Sequence, residues 1–185
     1  MMRIRPIRLV SAAAFLLLVF LALPAAAVEP AVPPQVQAAI ISKLWQFDHN
    51  FIQRGELTLA VLYQTKFRIS FVAAHDLCHE FEAARLPVRC VFIDVIDDST
   101  PIPLQGIDAA YIAPLRAVNV EALVGLFRTK HIRTVTAVDE YILTGAAVGL
   151  ALRGDHAEIV VNLPASRAEG ADFSSQLLRL ARIVQ

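Results

Sequence analysis

His75, Cys78, His79 and Cys90 bring four potential metal ligands or redox groups into one short stretch of the sequence. Histidines four apart on a helix stand one turn above each other, within reach of one metal ion. A zinc site needs further ligands, for which Glu82 on the same helix face and Cys90 on the following strand are the candidates. No compact ligand-rich motif surrounds them, and two solvated histidines on an exposed face is the competing reading. No metal is therefore assigned, with His75 and His79 kept as candidates. Cys78 lies about six residues before its helix ends, roughly 9 Å at 1.5 Å per residue. Cys90 lies just inside the returning strand, so the two sulfurs reach a similar height and can face each other. A disulfide and a pair of buried thiols both fit that placement.

Other nucleophiles and acids read as structural. Ser174 and Ser175 sit where a helix needs a cap and lack the Gly-x-Ser-x-Gly elbow. Asp97-Asp98 precedes Ser-Thr-Pro as a turn signal, and no second carboxylate is placed opposite it. There is no phosphate-cradling glycine loop, no Cys-x-x-Cys and no nucleotide fingerprint. Nothing in the sequence requires an enzyme, and no cofactor is assigned.

Hydrophobic periodicity defines the elements that position these groups. From Gln35 to Gln53, Val36, Ile40, Leu44, Phe47 and Phe51 recur at spacings of three and four, predicting a long helix. Trp45 on that helix reads as a core residue, with an exposed partner contact as the alternative. Leu57 to Tyr63 reads as the first central strand, and Ser70 to Arg85 as a helix with Ala74, Leu77, Cys78, Phe81 and Ala84 on one side. Val88 to Ile96 is apolar throughout and reads as a second strand buried on both faces. Strand, helix, strand implies a right-handed parallel crossover. After the turn-rich segment from Asp97 to Gly106, Ala109 to Ile112 and Arg133 to Val138 read as strands on either side of a helix capped by Asn119. Asp139 to Thr144 is open between a helical turn and a loop. Val148, Leu150 and Leu152, the turn pair Gly154-Asp155, and Ile159 to Val161 form a hairpin. Asn162 can then cap a short helix, Gly170 can stop it, and Ser174 can cap a final helix reaching Val184. The sum is a three-layer α/β sandwich: a mixed, mostly parallel sheet of five to six strands, flanking helices, and a C-terminal hairpin-helix unit.

At 56% hydrophobic and 18% charged, the chain suits one well-buried domain and is too apolar for disorder. Arg3, Arg5 and Arg8 precede the apolar run from Leu9 to Leu23, and Pro24 leads into Ala25, Ala26 and Ala27. Residues 1–27 thus read as a secretory signal peptide cleaved after Ala27, too short for a membrane span of about 20 residues. Removing it lowers the basic count from 17 to 14 against 17 acidic residues, leaving a net charge of minus three. That balance speaks against nucleic acid as a partner. The cleavage region has no cysteine to accept a lipid. Residues 28–34 read as a proline-rich lead-in, and 35–185 as a single domain.

The closing stretch Asn162-Leu-Pro-Ala-Ser-Arg-Ala-Glu-Gly170-Ala-Asp-Phe-Ser-Ser175-Gln-Leu-Leu-Arg-Leu-Ala-Arg182 resembles the end of the YfiR-like proteins. They carry an Asn, a small-residue helix, a Gly, two consecutive Ser and a Leu-Leu-x-Leu-Ala helix. Lys43-Leu-Trp-Gln-Phe47 is similar to their opening Lys-x-x-x-Phe helix. The shared motif residues Asn162, Gly170, Ser174, Ser175, Leu177 and Leu178 have structural roles in this reading. Two features depart from the pattern. Thr144-Gly145-Ala146-Ala147-Val148 keeps one Gly of an expected Gly-Gly-Met-Ile-like run, and the cysteine arrangement differs.

The resemblance implies an exported, periplasmic, non-enzymatic regulator. Its expected partner is the periplasmic region of a membrane diguanylate cyclase, which it would restrain, lowering cyclic di-GMP and biofilm signalling. An outer-membrane lipoprotein is a further candidate partner, and the wide apolar first helix makes a homodimer another. Two other readings compete: a metal-binding or redox-active exported protein built on the His-Cys group, and a small-ligand sensor using a cleft at the strand ends.

Overall fold

Leu59 and Val61 point into one apolar layer and Ala60 and Leu62 into another, so the strand that carries them must be covered by helices on both faces. The computed structural model describes residues 32–52 and 55–185. The expected signal peptide and the lead-in up to residue 31 lie outside the described residues. The strand is β1 (Leu57–Tyr63), and all four of those side chains are fully buried. On one face it packs against α1 (Pro34–Leu44) and α2 (Arg68–Ala83) through Ile41, Leu44, Leu77 and Phe81. On the other it meets α3 (Val120–Arg128) and α4 (Asp139–Thr144) through Val124, Phe127 and Tyr141.

The remaining strands are β2 (Val88–Asp94), β3 (Ala109–Ile112), β4 (Arg133–Thr136), β5 (Val148–Arg153), β6 (His156–Asn162) and β7 (Arg182–Val184). They form one seven-stranded sheet in the order β2-β1-β3-β4-β5-β6-β7. The first five run parallel. The β5–β6 hairpin is antiparallel, with Val148 opposite Val161 and Arg153 opposite His156, and β6–β7 is parallel again. The expected α/β sandwich with a mostly parallel sheet and a closing hairpin is thus observed.

The sheet has one strand more than expected. The final helix, expected to reach Val184, is α6 (Ser175–Leu180), and Arg182–Val184 leave it to pair with β6. The free edge of β6 offers a ladder of backbone partners to these residues, which include the β-branched Ile183 and Val184. Arg182 Nε fixes the register by donating to Glu158 Oε2 at 2.9 Å. The short helix between hairpin and α6 is α5 (Leu163–Ala168).

The first helix is also shorter than its periodicity predicted. It ends at Leu44 and passes through a 3₁₀ turn, Trp45–Phe47, to Asp48, which forms an isolated bridge with Phe173. Phe51 kept the helical spacing, but it serves a turn in which its ring stacks on Trp45 at 5.3 Å. Trp45 itself is buried. A third correction concerns β2, expected to be covered on both faces. It is an edge strand with Arg89, Phe92 and Asp94 exposed, and its apolar run serves partly to pack against α2. The open segment 139–144 is helical, closed by Gly145 at φ +118°. A Cβ there would meet the guanidinium end of Arg128, a side chain able to move aside, so it is the backbone conformation that requires glycine.

Candidate functional site

The side chains singled out for chemistry lie on α2 and β2 at this sheet edge. Cys78 and Cys90 are joined in a disulfide, their Cα atoms 6.2 Å apart. Neither sulfur is then a thiolate free to bind a metal. His75 stacks on Phe92 at 4.5 Å and packs against Phe71 at 4.1 Å, with the edge of Tyr63 at 5.5 Å. Its Nε2 is buried without a hydrogen-bond partner among the described residues, whereas His79 is exposed. Among the described residues no three His, Cys, Asp or Glu side chains are grouped to hold a metal ion. The structure therefore pairs the cysteines and gives the two histidines different surroundings.

Together these residues make an aromatic surface held by a covalent staple. Phe71 and Phe92 remain 39% and 41% exposed, and Ile69 and Val72 of the same helix 59% and 41%. Apolar exposure on that scale beside an edge strand marks a surface suited to protein contact.

The closing motif works as structure. Asn162 Oδ1 accepts from Ala165 N at 3.0 Å, capping α5, while its Nδ2 donates to Ile142 O at 2.8 Å. Gly170 ends that helix at φ +85°, with His131 Nδ1 only 3.0 Å from where a Cβ would stand. Ser174 Oγ accepts from Leu177 N at 3.4 Å, and its backbone N–H donates to Phe47 O at 2.7 Å, tying the motif to the 3₁₀ turn that follows the opening helix. Leu177 is buried in the larger core with Leu178 packed beside it, and Ser175 is exposed in the first turn of α6. Neither serine is hydrogen-bonded to a histidine or carboxylate among the described residues. Asp97 organises its own turn: the Ser99 hydroxyl and amide donate to it and hold its carboxyl below the usual value.

Sequence reading missed the polar network beneath the motif. Arg133, 6% exposed at the start of β4, donates from Nε to Asp48 Oδ2 at 2.9 Å, and from its other nitrogens to the carbonyls of His131, Glu169 and Gly170. Asp48 Oδ1 accepts the amides of Asn50 and Asp172. Glu169, fully buried, accepts from Thr134 N at 2.7 Å and Thr134 Oγ1 at 2.6 Å. One signal was available, a charged residue opening an otherwise buried strand, but its partners Asp48, Glu169 and Gly170 lie 85, 36 and 37 positions away.

Burial raises the Glu169 carboxyl from 4.5 to about 7, against the opposing pull of the Thr134 hydrogen bonds and of the Arg128 and Arg133 charges. The folded protein therefore keeps a proton that the unfolded chain releases between those values. Its stabilising contribution is full below pH 4.5 and is lost as the pH rises through about 7. The size is about 3 kcal/mol at 1.36 kcal/mol per pH unit. Glu169→Gln is expected to remove most of this slope, raising stability above neutrality relative to the parent. Urea unfolding of both proteins at about pH 5 and about pH 8 checks it; parallel pH profiles would refute the assignment.

Residues 34–182 match the model of a family described as YfiR/HmsC-like. No curated protein matches the chain at significant similarity. Solved structures share the fold at low identity. A conserved domain protein from Vibrio cholerae superposes with a TM-score of 0.64 at 13% identity, covering 85% of this chain and 61% of its own. The ABC domain from Streptococcus pneumoniae, solved in complex with L-Trp, gives 0.61 at 13% identity, with 82% and 62% covered. A substrate-binding protein with adhesive properties from Clostridium difficile, in its ligand-free open form, gives 0.55 at 15%, with 73% and 56% covered. The chain thus spans about three-fifths of each of these proteins, and the likeness is one of fold.

Proposed function

The chain belongs to the YfiR/HmsC-like family of periplasmic regulators in cyclic di-GMP signalling, and from that membership we propose that it restrains a membrane diguanylate cyclase by contact with the cyclase's periplasmic region. The observation that carries this reading is the family match over residues 34–182, nearly the whole described domain. The regulator is exported and non-enzymatic, and its closing-motif residues serve as caps, a helix stop and core contacts. It acts by population shift. Only a higher affinity for the inactive cyclase than for the active one can move that equilibrium, and a shift from one extreme to the other needs about a 10⁴-fold difference.

The aromatic surface of α2 and β2 supports a contact mechanism. It is apolar, exposed, stapled by the disulfide, and borders a strand with one edge unpaired among the described residues. Deleting the gene is expected to raise cellular cyclic di-GMP, and expression of the parent protein to restore it. Expression of Phe92→Glu, exported and folded, is expected not to. Pull-down from solubilised membranes should recover a diguanylate cyclase and will also show whether an outer-membrane lipoprotein accompanies it. An unchanged cyclic di-GMP level on deletion, with no cyclase recovered, would overturn the proposal.

A further inference from the structure

In the order β2-β1-β3-β4-β5 the chain first winds to one side of β1 and then returns to the other, so the topology reverses beside β1. Crevices at such reversals, outside the carboxyl ends of parallel strands, are where open α/β sheets bind ligands. A cleft of about 340 Å³ lies there, lined by the segment after β1, the end of β2 and the residue Arg116 beyond β3. That volume falls within the range of small-molecule sites, roughly 300–1,000 Å³.

The cleft is built by a clamp that has no evident purpose in the core. Gln64, 9% exposed, donates from Nε2 to Arg116 O at 2.9 Å and accepts Arg116 N–H at Oε1 at 2.8 Å, joining the two loops reciprocally. Its own amide donates to Ser70 Oγ at 2.9 Å, locking the same loop to α2. The next residue, Ala117, is held at φ +53°, a conformation that costs a non-glycine residue energy. The consequence is the placement of Arg116, whose guanidinium lies 4.0 Å over the Phe67 ring. Stacking occupies the guanidinium face and leaves its edge donors open.

The charge around the cleft is positive on balance. No acidic side chain pairs with Arg116 or Lys66, which both line it, among the described residues. Asp94 on the same wall accepts Thr65 N–H at 3.0 Å and keeps its negative charge, so the described lining carries the two cations Lys66 and Arg116 against one carboxylate, a net positive charge. The adjoining start of α2 has neither a side-chain cap nor an acid in its first turn, which adds to the positive potential. Ile96 supplies an apolar rim, 72% exposed.

We propose that this cleft is a binding site for a small organic anion, its carboxylate or phosphate held by Arg116 and Lys66 and its apolar part lying against Ile96. Arg116 is the fork-shaped donor that matches a carboxylate or phosphate bidentately, and Lys66 adds a mobile second charge. The site does not depend on the cyclase reading, because binding is measured on the exported protein alone.

The probes are phenylacetate and phenyl phosphate, with benzyl alcohol as the uncharged counterpart and inorganic phosphate as the anion without an apolar part. Backbone-amide NMR of the exported protein is expected to show saturable shifts at residues 65–67, 95–96 and 116 with at least one aromatic anion. Inorganic phosphate and benzyl alcohol should bind at least about tenfold more weakly, the effect of removing roughly one charge-assisted contact or its apolar complement. Arg116→Gln and Lys66→Gln, both at exposed positions, should each weaken binding by about the same factor, while the melting temperature falls by at most a few degrees, the scale of the exposed Arg116–Phe67 contact. No saturable shift with either aromatic anion, equal binding of benzyl alcohol, equal binding of inorganic phosphate, or binding indifferent to both substitutions would each overturn the proposal.

Discussion

Replacing Arg133 by Ala is expected to cost about 3–5 kcal/mol of folding stability, because it leaves a buried carboxylate without its counter-ion. Asp48 has no side-chain exposure, and Arg133 Nε meets it at 2.9 Å. The same substitution strips donors from the carbonyls of His131, Glu169 and Gly170, each then in need of another partner. These contacts are the polar joint between the end of the first helix, the start of β4 and the closing motif, so their loss should free the C-terminal segment first. Hydrogen exchange at residues 169–174 should accelerate more than exchange in β1. Asp48→Asn removes the opposite charge, and the double variant should lose much less than the sum of the two single losses, because it buries no unpaired ion. Urea unfolding of the three variants measures this; a loss below about 1 kcal/mol for Arg133→Ala would mean that solvent reaches the pair after all.

Opening the disulfide should have the second-largest effect. Its cysteines are 12 positions apart, and the chain-entropy relation for a loop of that size gives about 3 kcal/mol. Reductant, Cys78→Ser and Cys90→Ser are expected to lower the melting temperature by similar amounts, since each alone abolishes the bridge. The structural consequence falls on the sheet edge. Among the described residues β2 pairs only with β1, and the bridge ties it to the helix carrying Phe71 and His75, so the reduced protein should show faster exchange in β2 and a looser aromatic surface. If that surface is the contact face proposed above, restraint of the cyclase weakens along with it. Alkylation of the folded exported protein without reductant decides whether the bridge forms: two modified cysteines would refute it.

Local chemistry by itself specified the central strand Leu57–Tyr63, the hairpin around Gly154-Asp155, the caps at Asn119, Asn162 and Ser174, and the stop at Gly170. Each depends on interactions within a few residues, where side-chain periodicity, turn preference and capping geometry act without help from the rest of the chain. Where the first helix ends, where the last helix gives way to a strand, and that β2 lies at the edge were decided only by the tertiary structure. Asp48 leaves helical geometry for partners at Arg133 and Asp172, and Arg182–Val184 leave it for the open flank of β6. The aromatic stack on His75, the buried pair of Arg133 and Asp48, and the cleft between Lys66 and Arg116 follow the same rule. Their members are brought together by strand order, and no spacing along the chain encodes which distant side chain will stand opposite a given one.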